Sequence, residues 1–341
     1  MIKEIIKQVV AREDLTRAQA ATLLEFIIDG DATDAQIAAL LIALAMKGET
    51  SSELAGFAEV MRQRAARFNT RHKIFVDTAG TGGDGRGTFN ISTAAAFVIA
   101  AAGIPVAKHG NRSVSSQSGS ADVLSELGVR VVLSPAIAAH CLDEIGICFM
   151  FAPAFHPATK RVAEIRRQLG IRTAFNLLGP LTNPAGTPRQ LVGVFAREAV
   201  EKCARVLADL GAERAWVVWG MDGLDEITLC DTTLVGEVIN SSVNLFEIGP
   251  QDFGLTKIDP TTITGGTPAE NAVTLRAILS GKRQDGLRDI VLANAAAAIY
   301  LCEGAPTLRD AIALAAGTID TGLAVEKLDA LIHLSQQCEP T

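Results

Sequence analysis

The chain has 341 residues, 48% of them apolar and 20% charged, with a formal net charge of −7. That length can bury a large core and favours two domains over one. The acidic balance disfavours a nucleic-acid partner, although an acidic protein can still hold an anion where its cations are concentrated.

No run reaches the roughly 20 uninterrupted apolar residues that span a bilayer. The stretch 94–102 comes nearest, and Gly103 and Pro105 break it. The opening MIKEIIKQVV is charged at Lys3, Glu4 and Lys7 and has no signal-peptide core, so the expected location is the cytoplasm, without a membrane partner. The six cysteines (Cys141, Cys148, Cys203, Cys230, Cys302 and Cys338) form no C-x-x-C pair. This spacing argues against a zinc site, a redox motif or a disulfide framework, and for buried reduced thiols.

In chain order, the first seventy residues read as helices only. Ile2, Ile5, Ile6, Val9 and Val10 share one helical face. Thr16 and Thr33 are expected N-caps, Gly30 and Gly48 expected stops, and Thr50 with Glu53 a capping box before the stretch 54–67. From residue 74 the pattern changes to short apolar runs separated by helical stretches. These runs are IFV at 74–76, IPVA at 104–107, VRVVL at 129–133, ICFMFA at 147–152, LVGVFA at 191–196 and AWVVWG at 215–220. Such alternation predicts an α/β fold: a small all-helical domain plus a larger α/β domain with a mainly parallel central sheet. Ligands of such sheets sit at the carboxyl ends of the strands, here the loops after Val76, Ala107 and Gly220. A cation-rich helical segment from His156 to Gly170 leads into IRTAFNLLGPLTNPAGTP. Its glycines and prolines predict a long ordered loop and a second pass through the helical unit. Residues 268–335 read as helical again. The expected division is 1–72 with about 164–186 as the helical domain and 73–163 with about 187–341 as the α/β domain. The site lies in the cleft between them.

Two segments carry the chemistry. The first, GTGGDGRGTFNIST at 80–93, follows a strand and precedes a helix, so its backbone N–H groups can approach phosphate oxygens at a helix N-terminus. Gly80, Gly82 and Gly85 formally satisfy G-x-G-x-x-G. A dinucleotide site would also need an acidic residue at the end of the second strand, and Lys108 and His109 stand there instead. A P-loop would need Gly-Lys-Ser/Thr, and the chain has Gly85-Arg86-Gly87. The second segment, KHGNRSVSSQSGSADVL at 108–124, places cations, an amide and hydroxyls behind another strand, which suits a second phosphate-rich group.

GTGGD, TFNISTAAAF, KHGNR and SGSADVL, in this order, resemble the phosphoribosyl pyrophosphate (PRPP) site of the anthranilate phosphoribosyltransferase family. The similarity continues through FAPAFHPATK, IRRQLGIRTAFNLLGPLTNPAG, LDEIT, GGTPAENAV and NAAAAIY. Departures are minor: Ala79 stands where relatives often have a larger apolar residue, and Gly87 occupies a variable position. The resemblance implies two domains, a homodimer and transfer of the phosphoribosyl group of PRPP to the amine of anthranilate, in tryptophan biosynthesis. It implies that Gly80, Gly82, Gly83, Asp84, Thr88, Asn90, Ser92, Thr93, Lys108, Asn111, Ser113, Ser116 and Ser120 bind PRPP. Gly80, His109, Asn111, His156 and Arg166 would face anthranilate. Ser92, Asp225 and Glu226 would hold Mg2+, as two ions, and hard carboxylate oxygens suit that metal.

No residue is firmly assigned as catalytic, because an aromatic amine is already unprotonated at neutral pH and needs positioning more than a base. Two other readings of the same fold remain to be weighed. A nucleoside phosphorylase would need groups that read a pyrimidine edge, where this chain offers the Arg166 region. A non-catalytic nucleic-acid-binding paralogue would want an added basic surface and could dispense with KHGNR or LDE, both of which are present.

Overall fold

The structure is a computed structural model and describes residues 2–113 and 117–337. Four helices open the chain: α1 (Ile2–Val10), α2 (Arg17–Ile28), α3 (Asp34–Lys47) and α4 (Ser51–Gln63). Thr16, Thr33 and Thr50 each close a capping box, with Gln19, Gln36 and Glu53 as the reciprocal partners. Each box satisfies two backbone donors that a helix start leaves open. Glu53 does more. Its buried carboxylate also accepts the Leu15 N–H at 2.9 Å and pairs with Lys47 at 3.0 Å, locking three helix ends together.

The α/β part then runs through β1 (Val76–Asp77), α5 (Ile91–Ala101), β2 (Val106–Gly110), α6 (Ser120–Glu126), α7 (Pro135–Ile145), β3 (Ile147–Phe151) and the single turn α8 (Ala152–Phe155). Next come α9 (Lys160–Leu169), α10 (Ala174–Leu181), β4 (Arg189–Gly193), α11 (Arg197–Asp209) and β5 (Arg214–Gly220). The strands end with β6 (Thr233–Ile239) and β7 (Ser242–Ile248). Four helices finish the fold: α12 (Pro268–Leu279), α13 (Gly286–Leu301), α14 (Leu308–Asp320) and α15 (Leu323–Gln337).

The sheet order is β3-β2-β1-β4-β5-β6-β7, with β3 to β5 parallel and β6 and β7 antiparallel. The expected mainly parallel sheet is therefore present. Alternate side chains go to opposite faces. Leu191, Trp216, Val218 and Val235 pack under α5 and α12–α15, while Val192, Val194, Ala215, Val217 and Val238 pack against α11 and the opening helices. Helices α5 and α13 are apolar nearly all round and almost wholly buried, as core helices must be. Val162 and Ile165 of α9 and Leu177, Leu178 and Leu181 of α10 join the cluster of the opening helices.

Three details differ from the sequence reading. VRVVL at 129–133 is not a strand. It alternates as one, with Val129, Val131 and Leu133 buried and Val132 58% exposed. The Arg130 N–H, however, goes to Ser335 Oγ of α15 rather than to a ladder. The expected loop after Arg172 contains α10, because Leu177, Leu178 and Leu181 have a core to enter and Asn176 caps the helix start from the Thr173 N–H. The β6–β7 hairpin was not foreseen. Its turn residues, Asn240 and Ser241, both have positive φ without a glycine to announce it. Among the described residues no disulfide forms; Cys141, Cys148 and Cys203 are buried, and Cys338 lies outside them.

Candidate functional site

The crossover direction changes at β1, whose sheet neighbours β2 and β4 lie on opposite sides of it. Crevices at such switch points, outside the carboxyl ends of the strands, are where open α/β sheets bind ligands. The glycine loop fills this position. Gly82, Gly83, Gly85 and Gly87 all have positive φ, which a side chain would oppose. The loop is fastened at its start: Thr81 N–H donates to the Gly193 carbonyl at 2.9 Å, and Phe195 N–H donates to Thr81 Oγ1 at 3.0 Å.

The same loop meets the LDE segment after β5. Gly82 N–H donates to Asp225 Oδ2 at 2.7 Å, and Ser92 N–H, in the first turn of α5, donates to Glu226 Oε1 at 3.1 Å. Burial, together with the nearby charges of Asp84 and Glu226, pushes the Asp225 carboxyl well up. Burial likewise lifts Glu226 to about 7, against the pull of Lys108 and the Ser92 hydroxyl. Asp84 Oδ1 accepts the Arg86 N–H at 3.0 Å, whereas its buried Oδ2 has no partner. Three crowded carboxylates with an orphaned oxygen fit a hard divalent cation. Among the described residues no three such side chains form a ready-made cage, so water and substrate oxygens would have to complete the coordination. Magnesium is usually held that way.

Lys108 supplies the fixed cation. It is 4% exposed on β2 and donates to the Thr78 carbonyl at 3.1 Å and to Thr78 Oγ1 at 3.2 Å. Burial pulls its pKa down while Asp77 and Glu226 hold it up. Asp77 itself is enclosed, lifted to about 6 by burial, and accepts the His109 N–H at 3.1 Å and Asn183 Nδ2 at 2.7 Å. Asp77 and Asn183 thus tie β1, β2 and the loop after α10 into one buried network.

Helix α10 organises the opposite wall. The Gly179 carbonyl sits 3.1 Å from His109 Nδ1, and one turn earlier Asn176 Oδ1 accepts Arg166 Nη2 at 3.2 Å. Arg166 also lies over the Phe175 ring at 5.4 Å, and its Nε has no partner. Arg167, the next residue on α9, points away and commits its guanidinium to Glu164. His109 and His156 pack edge to face with ring centroids 5.3 Å apart, and the Nε2 of each is buried without a partner. Burial and the neighbouring imidazole lower His109 to about 3, and burial lowers His156 to about 4.

Both histidines therefore stay neutral when folded but charge when unfolded. Their contribution is full above the unfolded value near 6.5 and is lost as pH falls towards the folded values. At about pH 5 each should cost about 2 kcal/mol relative to pH 7.5. Urea unfolding should show His109→Gln losing that much less stability than the parent over this interval. Parallel pH profiles would contradict a neutral buried His109.

The second loop is braced by Asp122, which accepts from Arg112 Nη1 at 2.8 Å and from the Ser113 and Gly119 N–H groups at 3.0 Å. The Asn111 carbonyl accepts from Ser120 Oγ and the Ala121 N–H, both at 3.2 Å. Ser116 lies outside the described residues. Asn90 is held by Ser118 and by Asn271 Nδ2 at 3.0 Å, Thr93 is buried, and Thr88 bridges to Thr264. The contacts bring Gly82, Ser92, Lys108, Asp225 and Glu226 into one group and His109 with His156 into another, with Arg166 on the α10 side. Sequence reasoning missed Asp77, Asn183, Asn271, Arg172 and Gly193. The first three are amide or carboxylate side chains inside motifs already singled out, and that was the available signal.

Comparison with known proteins places this fold in a family. Residues 72–325 match the glycosyl transferase family a/b domain, and residues 3–65 match the helical bundle domain of the same family. The anthranilate phosphoribosyltransferase of Moorella thermoacetica is 52% identical, covering 97% of this chain and 98% of its own. This chain belongs to the anthranilate phosphoribosyltransferase family. A second member, from Anaeromyxobacter sp. (strain K), is 53% identical with 97% of this chain and 98% of its own covered. The family's crystal structure from Thermus thermophilus superposes with a TM-score of 0.92 at 38% identity, covering 97% of this chain and 99% of that one. The Saccharomyces cerevisiae structure in complex with PRPP and Mg has a TM-score of 0.91 at 27% identity, covering 99% and 98%. Among the described residues no helix is long and apolar enough to cross a membrane.

Proposed function

We propose that this chain transfers the phosphoribosyl group of PRPP to the amine of anthranilate, giving N-(5-phosphoribosyl)anthranilate and pyrophosphate. The observation that supports the reading is the gathering of two groups of side chains at the carboxyl ends of the strands. The glycine loop, Lys108 and the Asp225–Glu226 pair form one group, and Arg166, His109 and His156 line the α10 side. The relatives named above support the same substrates.

When the C1–pyrophosphate bond breaks, negative charge grows on the leaving group and positive charge on the sugar. In this reading, loop N–H groups and Lys108 would face the growing negative charge, which is worth more in an enclosed site than in water. Asp225, Glu226 and Ser92 would hold Mg2+, which when bound offsets pyrophosphate charge. The amine nitrogen attacks C1 as the C1–O bond breaks, the pyrophosphate leaves with the bonding electron pair, and the amine's surplus proton passes to the departing pyrophosphate or to water. Neutral His109 and His156 offer bare Nε2 atoms as acceptors for amine hydrogens, so they orient the nucleophile without adding positive charge. Arg166 pairs with the anthranilate carboxylate through its open guanidinium edge.

We further propose two Mg2+ ions, a cytoplasmic location, the two-domain division with its cleft site, and a homodimer. Val10 at 65% and Met46 at 71% exposure, on adjoining helices, support the last. Loss of anthranilate fluorescence should require PRPP, Mg2+ and protein together, and omission of each in turn tests the activity.

Arg166→Ala should raise the KM for anthranilate about ten- to a hundredfold and leave the PRPP KM nearly unchanged. Arg167→Ala, which removes only a solvated pair, should leave both within about twofold. Aniline, lacking the carboxylate, should be a poor substrate for the parent and lose little more in Arg166→Ala. Equal behaviour of the two arginine variants would mean that the acceptor must be reassigned.

A further inference from the structure

Arg172 lies in the short link between α9, which carries Arg166, and α10, which carries Gly179 and Asn176. Its side chain leaves that wall and crosses to the other. Nη2 donates to the Gly83 carbonyl, 89 residues back in the glycine loop, and the guanidinium stacks on the Phe195 ring at 4.4 Å. Phe195 is not a passive platform. Its N–H holds Thr81 Oγ1 at 3.0 Å, and Thr81 N–H holds the Gly193 carbonyl at 2.9 Å. Arg172 therefore grips the glycine loop at Gly83 directly and at Thr81 through Phe195. Among the described residues no carboxylate pairs with it, so its charge is not taken up by a surface ion pair.

We propose that Arg172 is a positioning residue that couples the two substrate sites, so that occupation of the glycine loop by PRPP sets the placement of the α9–α10 wall that receives anthranilate. The inference rests on the phosphoribosyl-transfer reading above. The physical basis is geometric. Gly83 has positive φ in a run of four such glycines, a backbone with little intrinsic preference that an external donor can fix. A planar guanidinium can donate in its plane to a carbonyl while its flat face stacks on a ring, whereas an ammonium has no face to stack and is not held in a fixed fork. Because the same residue is two positions before α10, any shift of the loop that moves Gly83 is passed to the helix holding His109 and Arg166. Coupling between ligands is reciprocal, so anthranilate should tighten PRPP as much as PRPP tightens anthranilate.

The test is a full matrix of initial rates in PRPP and anthranilate at saturating Mg2+, for the parent, Arg172→Gln, Arg172→Lys, Phe195→Leu and the Arg172→Gln/Phe195→Leu double variant. In the parent, each substrate should lower the other's KM. In Arg172→Gln that mutual effect should shrink to within about twofold of none, with the PRPP KM raised about tenfold. Phe195→Leu should weaken the coupling in the same sense, and the double variant should be little worse than Arg172→Gln alone, because both act through one stack. Melting temperatures of Arg172→Gln and the parent should agree, since Arg172 is exposed.

Unchanged coupling in Arg172→Gln would overturn the proposal. So would full rescue by Arg172→Lys, which would reduce the residue to a point charge. A lower melting temperature that accounts for the lost activity would overturn it as well. A parent that consumes no anthranilate would overturn both this inference and the functional reading, whereas an active parent with an unaltered Arg172→Gln variant overturns the inference alone.

Discussion

Replacing Gly193 with alanine should lower kcat/KM by about a hundredfold or more, although the residue reaches no substrate. Gly193 ends β4 at the switch point, and a Cβ built there would lie 1.6 Å from the Asp225 carbonyl oxygen and 2.5 Å from its carbon. Neither atom belongs to a flexible side chain, so the LDE segment must move by more than an ångström. That segment holds Gly82 through Asp225 and Ser92 through Glu226, so the carboxylates proposed to hold Mg2+ and the glycine loop would lose register together. Overpacking of this kind typically costs about 1–3 kcal/mol of stability, which leaves a protein folded enough to assay. Gly317→Ala is the control. Nothing lies within 4 Å of a Cβ there, and the position is inside α14, so activity should persist with stability raised by up to about 1 kcal/mol. Wild-type rates in Gly193→Ala would show that the contact between β4 and the LDE segment is dispensable.

Much of the fold could be read from local signals. The three Thr-x-x-Gln/Glu boxes mark helix starts because the chemistry of a cap is contained in four residues. The parallel strands show as apolar runs because helices cover both faces. What could not be read depended on partners distant in sequence. VRVVL at 129–133 has the alternation of a strand, yet its backbone is satisfied by α15, some two hundred residues later. The prolines and glycines around α10 suggested a loop, and only the waiting apolar surface under Leu177, Leu178 and Leu181 makes the segment a helix. Propensity lost to packing there.

The site divides in the same way. Glycines at positive φ and a lysine behind a strand announce an anion site from sequence because their chemistry is backbone geometry and fixed charge. Helical spacing lets only one of Arg166 and Arg167 face the site, and the family motif, not the spacing, singled out Arg166. Asp77 and Asn183 stand inside motifs visible in the sequence, but nothing near either residue shows that they meet at 2.7 Å. Arg172 was similarly hidden. In GIRT it is one more cation after a helix, and only the fold brings it to Gly83 and Phe195.

Lys108→Ala should damage use of PRPP far more than binding of anthranilate. An ammonium has three donors, and Lys108 commits two of them to Thr78, leaving one N–H and the full charge. That charge lies between Asp77 and Glu226 and holds both carboxyls below where burial alone would put them. Losing one charged hydrogen bond to phosphate costs roughly 1.5–3 kcal/mol, or about ten- to a hundredfold in kcat/KM for PRPP. A second effect adds to the first. With the cation gone, Asp77 and Glu226 each lose the charge that holds their carboxyls down, so both should protonate at higher pH, and the Mg2+ requirement should rise because a protonated Glu226 is a poorer ligand. Lys108→Met, which keeps most of the volume, should lose activity as Lys108→Ala does, separating charge from cavity. Anthranilate binding, proposed to rest on Arg166 and the α10 wall, should change by no more than about threefold, less than one neutral hydrogen bond. An unchanged PRPP KM and kcat in Lys108→Met would remove Lys108 from the donor site. Equal losses for both substrates would instead point to collapse of the Asp77–Asn183 network beneath them.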